Sequence, residues 1–178
     1  AYAQAVGVYL ALASNRMVDS HSSLVTWTSQ RETLRNTFGR QALPMVWDFA
    51  EANPLSDSTG SFTGSLAWVE KVFDSFSVEA LGYAHQADAQ SQTLSQDKLI
   101  STDPPYYDNV GYADLSDFFY VWLRRTLRPI FPDLYATLST PKAEELVATP
   151  YRHSSKQAAE RFFMEGMTRA LHNLVGQA

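Results

Sequence analysis

The sequence predicts an α/β chain, rich in helix and carrying a small sheet. Apolar residues recur at helical spacing in three long stretches, from Tyr2 to Met17, from Asp114 to Arg128 and from Ser154 to Leu174. Two short runs, Tyr83–Ala89 and Leu99–Thr102, each pass into a polar loop as strands do. With 178 residues, 45% hydrophobic and 13% aromatic, the chain is large and apolar enough for one domain with its own core. The expected domain spans 1–178, mostly helical over 1–76, with the residues of chemical interest in 77–178.

In the first stretch, Tyr2, Ala5, Val6, Tyr9, Leu10, Ala13 and Met17 form one apolar stripe. No initiating Met, cap or polar tail precedes it, so the chain is expected to be an internal piece of a longer protein. Ser29-Gln30-Arg31-Glu32 has the spacing of a capping box and predicts a short helix ending near Gly39. Asp48, Glu51 and Asn53 are too costly to bury unpaired, and Asn53-Pro54 reads as a helix end. Asp57–Gly64 has two glycines but no lysine and no phosphate-loop spacing, so it reads as a surface loop. A helix from Ser65 to about Phe76 follows.

In the Asp114–Arg128 helix, Leu115, Phe118, Phe119, Trp122, Leu123 and Leu127 form the apolar face, continued by Ile130. Asp114 and Asp117 near its start and three arginines near its end complement the helix dipole. Phe131–Arg152 is irregular, with a helical turn expected at Ala143–Val147. Ser154–Gln157 is a capping box for the last helix, which Gly176 is placed to end.

The chemistry concentrates in Ser101-Thr102-Asp103-Pro104-Pro105-Tyr106-Tyr107, just before the best-defined helix. Pro104 and Pro105 fix their own φ, lack an N–H and push the residues before them toward extended geometry. Carbonyls there are not consumed by a helix and stay available as acceptors. Asp103 adds a carboxylate and Tyr106 a flat face. Such a platform suits a planar ring bearing an amino group, whose donors need acceptors and whose faces need stacking.

Asp103-Pro104-Pro105-Tyr106 matches the catalytic signature of S-adenosylmethionine-dependent methyltransferases acting on exocyclic amines, chiefly adenine-specific DNA methylases. With Tyr107-Asp108 and Tyr112–Tyr120, the sequence resembles the branch of large adenine-specific methylases that also carry a zinc ribbon. The similarity runs from about Phe38 to about His172 and includes Arg40–Pro54. The resemblance implies a helix-rich segment of a Rossmann-like methyltransferase fold with a small, mostly parallel sheet. It implies that Asp103, Pro104, Pro105 and Tyr106 are catalytic, with S-adenosylmethionine as cofactor and DNA as substrate. It also implies that Asp88, at the end of the Tyr83–Ala89 run, receives the cofactor's adenine; an Asp at such a place is equally a turn former. Tyr107 stacks beside Tyr106 in this reading, and Lys142, Tyr151, Arg152 and His153 are candidate nucleic-acid contacts. Relatives acting on RNA or on glutamine more often carry Asn at the first motif position, so Asp103 favours adenine.

The glycine-rich loop that such enzymes use for the cofactor's methionine end has no match here. The segment is therefore expected to be inactive alone, and a non-catalytic nucleobase-binding or scaffold module stands as the alternative. Net charge is −5, adverse for a DNA partner, although from Val121 onward eight Lys or Arg face five Asp or Glu. Cysteine is absent, which excludes disulfides and thiolate zinc sites within the chain, and the four histidines lack ligand spacing. No apolar run approaches the ~20 residues that span a bilayer, so no membrane partner and a cytoplasmic location are expected. Exposed edges on a small sheet call for cover from the rest of the parent chain or from a second copy.

Overall fold

Helical spacing becomes helix in the computed structural model, which describes residues 1–40, 42–43, 45–76 and 81–178. Gln41 and Pro44 of the second family-like stretch, and the 77–80 boundary between the expected halves, lie outside the described residues. The helices are α1 (Tyr2–Val18), α2 (Phe62–Ser75), α3 (Tyr112–Leu127) and α4 (Lys156–Gln177). Strands β1 (Thr26–Thr28) and β2 (Thr33–Arg35) lie between α1 and α2 in sequence. The chain divides into two compact units, Ala1–Glu79 with Leu115–Thr140 and Ala80–Asp114 with Pro141–Ala178. No described helix is long and apolar enough to cross a membrane.

The sheet corrects the expected fold class. Among the described residues it has two strands only, antiparallel, pairing Thr26 with Arg35, Trp27 with Leu34 and Thr28 with Thr33. No parallel sheet exists among them, and they do not form the Rossmann-like architecture. Ser29–Glu32 closes this hairpin instead of capping a helix. Arg31 N–H donates to the Thr28 carbonyl at 3.1 Å, and Glu32 takes a φ of 48° that reverses the chain. Threonines flanking the turn, with Trp27 and Leu34 opposite each other, favour extended backbone over helix.

Tyr83–Ala89 and Leu99–Thr102 are irregular and largely exposed rather than strands. A strand needs neighbours for its N–H and C=O groups. Here α4 takes up the loop between the two runs with side-chain amides. Asn173 Nδ2 donates to the Ala89 and Gln92 carbonyls at 3.2 and 2.9 Å, and Gln177 Nε2 to Gln92 at 2.6 Å. Gln177 Oε1 accepts from the Ser95 N–H at 3.1 Å. The loop is pinned to a helix, and neither run finds a ladder.

In the first unit, Ala11, Leu127 and Tyr135 form a buried cluster, with Val8, Tyr120, Leu123 and Ile130 packed against it. Phe38 packs on Phe118 and Phe119, with ring centroids 5.2 and 5.1 Å apart. Asp19, just after α1, ties the hairpin's return: its carboxylate accepts from Asn36 Nδ2 at 2.7 Å and Phe38 N–H at 3.1 Å. Ser61 caps α2 by accepting from the Gly64 N–H at 3.1 Å. Gly60 before it has φ +88°, and a Cβ there would lie 2.9 Å from Ala52 Cβ, so a side chain is excluded twice over. Among the described residues no helix ends at Asn53, whose Oδ1 accepts from the Leu55 N–H at 3.0 Å in a local turn.

In the second unit, small residues of α4 set the packing. Ala159, Gly166 and Ala170 are buried, and a Cβ on Gly166 would come within 2.2 Å of Leu146. Leu146-Val147-Ala148 is buried irregular chain, not the expected helical turn at Ala143–Val147. The α4 cap is Ser155, one residue later than the capping-box spacing suggests, accepting from the Ala158 N–H at 3.1 Å. Gly176 lies inside the helix rather than beyond its end.

Candidate functional site

Pro104 and Pro105 keep the chain before α3 out of any helix and leave Asp103 and Tyr106 at the surface of the second unit. Asp103 and Pro104 are exposed, Pro105 is half-buried, and Tyr106 is 53% exposed. Among the described residues, no hydrogen bond or ion pair engages the Asp103 carboxylate. After Tyr106 the chain turns, with the Asn109 N–H donating to the Tyr106 carbonyl at 3.3 Å, and enters α3. The Tyr106 ring meets Tyr112, the first residue of α3, edge-on with centroids 6.3 Å apart.

Tyr107 faces a different environment from Tyr106. Its ring packs edge-on against Phe163 of α4 at 5.1 Å, and its carbonyl accepts from the Ala148 N–H at 2.7 Å. Desolvation, and after it the neighbouring Glu160 carboxylate, push its hydroxyl above the usual tyrosine range. Tyr107 therefore ties the motif to α4 while staying 37% exposed, and Tyr106 is the more open of the two rings.

Asp88 lies in the polar turn pinned by α4. Its Oδ1 accepts from the Gln90 N–H at 2.9 Å and its backbone carbonyl from Ser91 and Gln92, the geometry of a turn former. Oδ2 remains open among the described residues. An acceptor thus remains at Asp88, and the described residues form no glycine-rich loop of the kind the resemblance implies.

Arg152 does not reach outward as a nucleic-acid contact would. Its side chain is 14% exposed, with one terminal nitrogen on Asp114 at 2.6 Å and the other on Glu145 at 2.5 Å. The second nitrogen also donates to the Lys142 carbonyl at 3.2 Å. Burial opposes its charge, but the hydrogen bonds and charges of Glu145 and Asp114 outweigh that and raise its pKa further. Tyr151 donates its hydroxyl to Asp114. That bond, followed by Arg152 and working against desolvation, holds the Asp114 carboxyl below the usual carboxylate range. Glu145 Oε1 accepts from the Ala113 N–H at 2.9 Å, satisfying a first-turn donor of α3 that the helix itself does not use. Asp114, Lys142, Glu145, Tyr151, Arg152 and His153 line a cleft of roughly 440 Å³.

The structure thus brings Arg152 to Asp114 and Glu145, and Tyr107 to α4, while no hydrogen bond among the described residues joins Asp88 to Asp103. Sequence reasoning does not single out Glu145. Its partner Ala113 lies 32 positions away, beyond the reach of any local pattern; an acid and a Tyr-Arg pair flanking an apolar run are the only signal. No protein-family model matches the chain, and no curated protein or solved structure shows significant similarity to it.

Proposed function

We propose that the chain carries the amine-binding platform of an enzyme that methylates the exocyclic amine of adenine in DNA, with S-adenosylmethionine as donor. The observation that supports this reading is the open Asp103-Pro104-Pro105-Tyr106 surface. It offers a carboxylate uncommitted among the described residues and an aromatic face, at the end of exposed, non-helical chain. A target amine inside a stacked duplex is out of reach, so the base is flipped out to meet this surface. The Asp103 carboxylate and the Pro104 carbonyl accept the two amine protons and turn the nitrogen lone pair toward the incoming methyl group. Tyr106 stacks on the base and fixes its plane. Orientation and charge placement supply the acceleration. The donor's methionine end is held by residues other than those described, and the segment alone is inactive.

A second reading is a nucleobase-binding module without catalysis. The observation favouring it is that residues 99–105 belong to no sheet among the described residues.

Product identification separates the two. The full-length protein is incubated with DNA and S-adenosylmethionine carrying a labelled methyl group, and the DNA is digested to nucleosides. Label on the adenine amine is the expected result. Label on cytosine or on RNA alone, or none at all, goes against the enzymatic reading.

A further inference from the structure

The second unit ties Tyr106 to residues far from it in sequence. Arg152 joins two carboxylates with its two terminal nitrogens, Asp114 in the first turn of α3 and Glu145 in the irregular chain before residue 150. Glu145 also receives the Ala113 N–H, and Tyr151 adds a bond to Asp114. Further along the same irregular chain, the Ala148 N–H holds the Tyr107 carbonyl at 2.7 Å. Tyr112, carried by the same turn of α3 as Asp114, is the residue the Tyr106 ring leans against. A Cβ at Gly111 would lie 3.1 Å from Asp114 Oδ2, a tight contact beside the bridge.

We propose that Arg152 is a positioning residue: bridging Asp114 and Glu145, it fixes the first turn of α3 and, through Tyr112 and Tyr107, the orientation in which Tyr106 presents its face to a nucleobase. This rests on the reading of Tyr106 as a stacking platform. It replaces the expected nucleic-acid contact at Arg152 with an internal one. Lysine has a single nitrogen and cannot repeat the bridge with both arms, so Arg152→Lys keeps the charge and loses the geometry.

The test uses a single-stranded oligonucleotide with 2-aminopurine at one position, whose fluorescence is quenched when the base stacks on an aromatic ring. Titrations compare the unaltered chain with Tyr106→Ala, Arg152→Ala, Arg152→Lys and the Tyr106→Ala/Arg152→Ala double variant, with folding followed by circular dichroism. Roughly tenfold weaker binding is expected for Tyr106→Ala, the scale of one lost stacking contact. A similar loss is expected for either Arg152 variant, with no further loss in the double variant because both act on one ring. If Arg152→Ala fails to fold, Arg152→Lys carries the comparison. Unchanged binding in Arg152→Lys beside a weakened Tyr106→Ala overturns the positioning role alone. So do additive losses, which would mean that Arg152 acts elsewhere. Equal binding by the unaltered chain and Tyr106→Ala overturns the platform reading and the positioning role with it.

Discussion

Asp103→Ala should reduce methyl transfer by the full-length protein by at least about a hundredfold, the scale of removing one group that stabilises developing charge, while the fold stays intact. The two halves of this expectation have separate physical grounds. Asp103 is exposed and makes no hydrogen bond or ion pair among the described residues, so its loss leaves no buried group unpaired. Its carboxylate is the charged acceptor of the pair that grips the amine, and charge-assisted hydrogen bonds are the stronger ones. Turnover and thermal unfolding measured on the same preparation test both halves. Normal turnover removes Asp103 from the mechanism; a variant that unfolds shows a structural role that its exposure does not suggest.

Tyr106 should act through its ring and not its hydroxyl. A flipped adenine loses stacking on both faces, and an aromatic surface restores about 1–3 kcal/mol of it. The ring also fixes the plane in which the amine meets Asp103. Neither task uses the phenol oxygen. Tyr106→Phe should therefore retain most activity, and Tyr106→Ala should lose roughly ten- to a hundredfold in DNA affinity or turnover, following that stacking energy. Kinetics of both variants on one duplex decide the matter. Equal losses would identify the hydroxyl as a hydrogen-bonding group. No loss in either would assign the ring to packing against Tyr112.

Local patterns were the legible part of this sequence. The long helices appear close to where apolar spacing puts them, because periodicity and capping act within a few residues. The two proline positions lie outside any helix for the same reason. Sheet formation depends on a partner, and neither Tyr83–Ala89 nor Leu99–Thr102 says in its own residues whether one exists. Ser29–Glu32 fits a capping box and a hairpin turn equally well until the flanking threonines pair across it. In the candidate site, the openness of Asp103 and Tyr106 follows from the prolines. The burial of Arg152 between Asp114 and Glu145 does not, because its acids stand 38 and 7 positions away. Tyr107 reads as a second stacking face in sequence; in the structure it stays 37% exposed, and α4 brings Phe163 and Glu160 against it, which no local pattern announces.

The central claim is that Asp103 and the Pro104 carbonyl recognise an exocyclic amine. It is tested most directly by comparing two single-stranded oligonucleotides that differ at one base, adenine in one and purine, which lacks the amine, in the other. The unaltered chain should bind the adenine strand more tightly, by roughly tenfold or more for a charge-assisted hydrogen bond of about 1.5–3 kcal/mol. Asp103→Ala should lose most of that preference, keeping only the smaller share that the neutral Pro104 carbonyl supplies. Equal binding of the two strands by the unaltered chain, or a preference for adenine undiminished in Asp103→Ala, would contradict the account.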